Sequence, residues 1–332
     1  MTAEQAKHRQ KMKRIIVIFN LMLYTLTSCS AQSIDLFYLV DLEENTGYKV
    51  GFISLSNIYP LSEHPDSLAI PNLDTIENKN LLQYFKLTEE YRKRFLTKSK
   101  ISEADSVFIY DYSSDILRSF AVKNLNVAAS LSIYRDINEY PLGQYDYQIG
   151  FEINKKQLSG IMQYGALAFV GKSNPFQKGQ MKPIVWSKIT SKEFPNNKIS
   201  KPNLIQKSKS ENSYLYNSDN YDYFVKDYTI TIQDNGYEYD IKKRLLIVIN
   251  KRNGKAIIER LFSDSEGTSV APLNFGIDNS SQTDLKEQWI GKLFKDKPEV
   301  FFGFEWVSFG CPNIIFLNSK EKDIYINCDN RH

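Results

Sequence analysis

A carboxylate set among aromatic residues is the feature of this sequence closest to chemistry. Glu305 stands in the run Phe301-Phe302-Gly303-Phe304-Glu305-Trp306-Val307-Ser308-Phe309. If the run is one strand, alternation places Glu305 on a face with Phe301, Val307 and Phe309. Apolar neighbours disfavour the charged form of a carboxyl group and raise its pKa, which is how a general acid is made. Glycoside hydrolysis needs a second carboxylate across the scissile bond, and the sequence alone names none. Glu305 is therefore the single catalytic candidate, with a plainer role open to it as a sheet-edge residue paired with a lysine.

Other chemistries lack their groups. A Ser–His–Asp site would have to use His64, in Ser62-Glu63-His64-Pro65-Asp66, as its base. No Gly-x-Ser-x-Gly elbow accompanies it. A zinc site built from His and Cys is short of ligands. Asp219, Asp222 and Asp227 cluster without the spacing of a calcium loop. Neither a Walker loop nor a Rossmann fingerprint is present. The expectation is no metal and no cofactor.

For binding, the richest segment is Tyr214-Leu215-Tyr216-Asn217-Ser218-Asp219-Asn220-Tyr221-Asp222-Tyr223-Phe224. Tyr, Ser and Asn together supply amphipathic contact area and adaptable hydrogen bonds. Tyr214, Tyr216, Tyr221 and Tyr223 are the candidate contact residues. The alternative is a strand entering the core, in a chain whose 21 Tyr and 20 Phe fit AT-rich codon usage.

The chain has three cysteines, Cys29, Cys311 and Cys328. Residues 312–317 read as a strand, 318–323 as a polar turn and 324–327 as a returning strand. With the turn centred on Ser319-Lys320, Cys311 and Cys328 face each other. Directly opposed Cα atoms lie about 4.5–5.5 Å apart, within disulfide reach. The sequence thus predicts a Cys311–Cys328 disulfide stapling a hairpin, which agrees with an oxidising compartment.

The N-terminal region points the same way. Lys11, Lys13 and Arg14 precede an apolar run over residues 15–26, too short for an ordinary membrane span. Met12 offers the more typical signal start. The run ends in Leu26-Thr27-Ser28-Cys29, which resembles the lipobox of bacterial lipoproteins. That resemblance covers the signal alone, and it implies a signal peptide over 1–28, lipidation of Cys29 and a membrane anchor. Cleavage after Ala31, giving a periplasmic or secreted protein, is the alternative. Before Cys29 stand Lys7, Arg9, Lys11, Lys13 and Arg14 against Glu4. Taking five from 42 basic and one from 39 acidic residues leaves 37 and 38, a net charge of −1. No basic face for nucleic acid is expected.

The elements that must position these residues are mostly strands. Alternation or apolar runs mark 34–40, 48–55, 106–112, 116–122, 127–134, 145–153, 166–170 and 184–186, with Asn45-Thr46-Gly47 as a turn. Residues 116–122 also suit a short helix. Helical spacing of Leu81, Leu82, Tyr84, Phe85, Tyr91 and Phe95 predicts one substantial helix over 78–96. Asn235-Gly236 between alternating runs predicts a hairpin in which Ile232 faces Tyr239 and Ile230 faces Ile241. Asn253-Gly254 repeats the device. The expected fold is β-rich α+β, mainly antiparallel meander. An N-terminal β-rich subdomain covers 29–190, a polar linker or long loop 191–222 and a C-terminal antiparallel subdomain 223–332. The function expected is a non-enzymatic, membrane-anchored envelope protein that binds a protein or glycan, of immunity or surface-assembly type. The alternative is a carboxylate-dependent glycan hydrolase of the envelope.

Overall fold

Period-two patterning marks most of the strands that the structure contains. The structure is a computed structural model that describes residues 34–42, 49–75, 79–139, 141–161, 165–195, 208–234, 236–275 and 286–328. Cys29, the expected signal segment, Asn45-Thr46-Gly47, Asn235 and His332 lie outside the described residues. The first half contains β1 (Leu36–Tyr38), β2 (Val40–Asp41), β3 (Val50–Ser54), β4 (Tyr84–Lys86), α1 (Glu89–Lys98), β5 (Ser106–Asp111), β6 (Ile116–Ala121), β7 (Asn126–Leu131), β8 (Tyr147–Asn154) and β9 (Leu167–Gly171). Next come β10 (Met181–Pro183), β11 (Ser187–Ile189), β12 (Ser208–Asn217), β13 (Tyr221–Asp234), β14 (Tyr237–Asn250) and β15 (Lys255–Ser263). The chain closes with β16 (Thr268–Val270), β17 (Trp289–Gly291), β18 (Val300–Phe302), β19 (Glu305–Val307), β20 (Asn313–Phe316) and β21 (Ile324–Asn327).

The fold is β-rich α+β with mainly antiparallel sheets, as expected. A nine-stranded sheet runs β10-β17-β18-β20-β21-β1-β9-β5-β6. Its β1–β21 pair is parallel, with Leu36 opposite Ile326 and Phe37 opposite Asn327. One five-stranded sheet, β2-β3-β8-β7-β4, shares a core with this sheet that includes Phe37, Phe95, Ile109 and Phe151. The second, β11-β12-β13-β14-β15, is an antiparallel meander sharing another core through Val225, Leu246, Phe301 and Ile315. The nine-stranded sheet thus draws strands from both expected subdomains, and β12 occupies part of the expected 191–222 linker.

The meander matches the sequence reading closely. Ile230 pairs with Ile241 and Ile232 with Tyr239. Gly236 turns the chain at φ +85°, a conformation glycine adopts without steric cost. Residues 116–122 resolve in favour of strand β6 rather than helix.

Two elements differ from expectation. The helix begins at Glu89, not near 78. Residues 79–83 form a 3-10 turn, and β4 then pairs Tyr84 with Ser130 and Phe85 with Ala129. Pairing with β7 overrides the helical spacing, and Thr88 then takes the N-cap position ahead of Glu89 and Glu90, whose charges suit a helix start. Residues 184–186 are not a strand. Ile184 and Trp186 are buried but donate their N–H groups to the carbonyls of Gln288 and Asn274, outside any ladder.

The five-stranded sheet of the first half buries a polar hub. Glu152 accepts from Asn126 Nδ2 at 2.7 Å and from the Tyr84 hydroxyl, and pairs with Lys86 Nζ at 2.6 Å. Burial alone would raise its pKa, but the Lys86, Tyr84 and Asn126 bonds outweigh burial and hold it below the usual carboxylate range. A carboxyl whose pKa is depressed on folding stabilises the protein above its unfolded pKa and loses that contribution as pH falls through the folded one. Glu152→Gln should therefore cost about 2 kcal/mol at neutral pH. Urea titrations across acid pH should show a flatter stability profile for the variant than for the wild type.

Candidate functional site

The ladder of β17 and β18 sets Trp289 opposite Phe302 and Ile290 opposite Phe301. Immediately beyond it, the chain bends at Gly303, whose φ is +82°. A Cβ there would lie 1.9 Å from the carbonyl oxygen of Glu287, so the position admits no side chain. The bend separates β18 from β19. Glu305 therefore does not share a strand face with Phe301, as unbroken alternation predicted: Phe301 is buried in the nine-stranded sheet, while Glu305 belongs to a two-stranded ribbon with β16. Phe309, expected on that face, is 60% exposed and lies against Gly267.

What the bend creates is a cleft of about 590 Å³ between the first and last strands of the domain. Tyr38, Tyr112, Phe302, Glu287, Glu305 and Trp306 contribute to its lining. Phe304 turns inward from the same segment and stacks on Phe262, ring centroids 5.3 Å apart. Tyr112 meets Trp289 and Phe302 edge-on at 5.0 and 5.1 Å. These contacts fix the aromatic wall, because such rings bury large area in defined geometry.

Two buried amides fix the acidic side. Gln288 donates to the carbonyls of Gly303 and Pro272 at 2.9 and 2.8 Å. Asn274 Oδ1 accepts from the Glu287 N–H at 2.8 Å, and its Nδ2 donates to the carbonyls of Ile184 and Gln288. The Glu287 N–H and the neighbouring Gln288 are thus held in place next to the Gly303 bend.

Electrostatics follow from this enclosure. Burial pushes Glu305 above the usual carboxylate range, opposed by the positive charge of Arg260. Arg260 is itself paired with Asp323 at 3.2 Å. Burial raises Tyr38 to about 12. Tyr112 is raised as well, by burial first and then by the charges of Tyr38, Asp111 and Glu287. Both phenols are therefore neutral hydrogen-bonding groups at neutral pH. Asp41, a third carboxylate on the lining, is tied to Lys155 at 2.8 Å. Among the described residues, neither Glu287 nor Glu305 is in an ion pair.

The tyrosine segment is divided between surface and core. Tyr216 pairs with Tyr223 across β12 and β13, and Tyr214 with Val225. Tyr223 is fully buried, so no partner reaches it. Tyr214, Tyr216 and Tyr221 are half-buried and pack against the same core. Burial raises the pKa of all four. The acidic trio does not converge on one point: Asp227 binds Arg244, Asp222 lies 3.2 Å from Lys251 and Asp219 lies 3.8 Å from Lys182. His64 is an exposed cap, its Nδ1 accepting from the Asp66 N–H at 3.3 Å. Cys311 and Cys328 form the expected disulfide, with Cα atoms 5.5 Å apart. The register differs by one residue from the expected one, since Asn313 faces Tyr325 and Ile314 faces Ile324. The turn centres on Ser319, and the bridge closes diagonally beyond the end of the ladder.

Residues outside the sequence-based candidates complete the site: Tyr38, Tyr112, Glu287 and Trp306. Trp306 was visible only as part of an aromatic run. No short pattern marks Glu287, which enters the cleft because the β17–β18 register carries it there.

A cleft of this size, mainly apolar with a few polar groups, has the form of a ligand site. Among the described residues no three His, Cys, Asp or Glu side chains gather as a metal site requires, and no helix is long and apolar enough to cross a membrane. No protein-family model, curated protein or solved structure matches this chain.

Proposed function

We propose that this chain is an exported envelope protein, anchored to the membrane by lipid on Cys29, whose cleft binds another macromolecule without transforming it. The observation that carries the binding reading is the cleft itself. Fixed aromatic walls surround two carboxylates that are in no ion pair among the described residues, and a half-exposed tryptophan stands at the rim. The lipobox resemblance and the Cys311–Cys328 disulfide support the compartment. Within this class, an immunity-type protein or a component of a surface assembly fits a rigid site of this kind. The test is capture of envelope and secreted components on the immobilised protein. A component retained by the wild type and lost with Trp306→Ala supports the reading. Retention that ignores Trp306 sinks it.

One observation favours a second reading. Glu305, with its raised pKa, shares the cleft with Glu287, so an acid and a second carboxylate are both present. A glycan hydrolase would use them as acid and as base or nucleophile. If so, Glu305→Gln should lower hydrolysis of envelope polysaccharide by about 100-fold or more. Unchanged turnover in a reducing-sugar assay would remove Glu305 from any catalytic role.

A further inference from the structure

Trp306 belongs to the walls of two clefts. The β16–β19 ribbon, in which Ser269 faces Trp306, stands between them. On one side lies the cleft of Glu287 and Glu305. On the other lies a groove of about 500 Å³ lined by Tyr214, Phe275, Thr229 and Lys242 and by the Asp227–Arg244 pair. The indole is 49% exposed and Phe275 is 45% exposed. Tyr214 lies 5.3 Å from Phe275, centroid to centroid, and extends the aromatic surface along the groove. Asp227 and Arg244 satisfy each other through two bonds of 2.7 and 2.9 Å. Among the described residues Lys242 is in no ion pair, like the two glutamates across the ribbon.

We propose that the two clefts form one continuous track for a glycan chain, with Trp306 as the stacking platform where the chain crosses the ribbon. This rests on the binding function proposed for the cleft and names its ligand class. A pyranose ring presents an apolar C–H face and an edge of hydroxyl groups. Exposed aromatic faces receive the first through dispersion and weak C–H contacts. Carboxylates, neutral phenols and ammonium groups receive the second as strong acceptors and donors. The track supplies both kinds of group on each side of the ribbon. The groove carries the ammonium groups of Lys242 and Lys243, and the cleft the carboxylates of Glu287 and Glu305 beside the ammonium of Lys286, so the two ends differ in polarity and fix the direction in which a chain lies. The extent of the two clefts suits several sugars rather than one.

The test is calorimetric titration of the full protein with neutral oligosaccharides (cello-, manno- and xylo-oligomers) and acidic ones (polygalacturonate and alginate oligomers). At least one series should bind, and short members that cannot cross the ribbon should bind more weakly than long ones. Trp306→Ala should weaken binding by about tenfold or more, the scale of losing one anchoring aromatic. Lys242→Gln and Glu287→Gln should each weaken it several-fold. Circular dichroism spectra matching the wild type establish that the variants fold. Absence of binding by every saccharide, or binding indifferent to Trp306, overturns the proposal. If a polypeptide is captured instead and its retention needs Trp306, the glycan assignment fails while the binding function stands. If nothing that binds needs Trp306, both fail.

Discussion

Replacing Arg244 with alanine should destabilise the protein by about 3–5 kcal/mol, the scale of breaking a buried ion pair from one side. Arg244 is 3% exposed, and its guanidinium is held by three acceptors. It donates to both oxygens of Asp227, its cross-strand neighbour in the β13–β14 ladder, and to the carbonyl of Ala271 at 2.5 Å. Truncation leaves the Asp227 carboxylate, 32% exposed on the groove wall, without its cation and the Ala271 carbonyl without its donor. The pair is not irreplaceable in energetic terms. Arg244→Met combined with Asp227→Leu should recover most of the loss, because apolar residues of similar volume avoid the desolvation of two charges. Urea denaturation of the two variants checks both expectations through the midpoint and slope. A loss below about 1 kcal/mol for Arg244→Ala would show that the pair is solvated in solution.

Removing the disulfide is the second large effect. Cys311 and Cys328 are separated by 17 positions, and closing a loop of that length restricts the unfolded chain by about 3 kcal/mol. Cys311→Ser with Cys328→Ser should lower stability by that amount. The hairpin should nonetheless persist, because β21 is also paired with β1 and β20 with β18. Pro312 and Asn313, next to Cys311, line the candidate cleft. The double variant should therefore bind more weakly as well as melt earlier. Thermal melts with and without reductant check the first part, since reduced wild type should melt with the double variant.

How much of this was legible in the sequence depended on the range of the interaction. The register of β13 on β14 could be read from Asn235-Gly236 because a two-residue turn fixes pairing locally. The disulfide could be read for the same reason, although a turn displaced by half a residue shifted the ladder by one. The apolar spacing before Thr88 suits a helix as well as a strand beside β7, so it does not mark the start of α1. The Thr88-Glu89-Glu90 start signal was the better guide. The cleft itself was out of reach. It depends on β1 lying beside β21 across almost the whole chain, with Asn327 Nδ2 donating to the Leu36 carbonyl at 3.0 Å. No periodicity reports such a contact. Glu305 stood out through its aromatic neighbours, but Glu287 became meaningful only when the ladder placed it near the same cleft. Gly303 was the available clue, since a glycine inside a strand pattern marks a bend or a close backbone approach.

Binding of a macromolecule in the cleft beside Trp306 is tested most directly by tryptophan fluorescence. The chain has three tryptophans. Trp186 and Trp289 are 3% and 6% exposed, so a collisional quencher such as acrylamide reaches chiefly Trp306. Quenching should be measured on the free protein and on the protein saturated with the component it captures from envelope or secreted fractions. The bound component should shield the quenchable fraction, and Trp306→Phe should remove this fraction in the free protein. Saturation that leaves Trp306 as open to quencher as before would contradict binding in the cleft and place the binding surface elsewhere on the molecule.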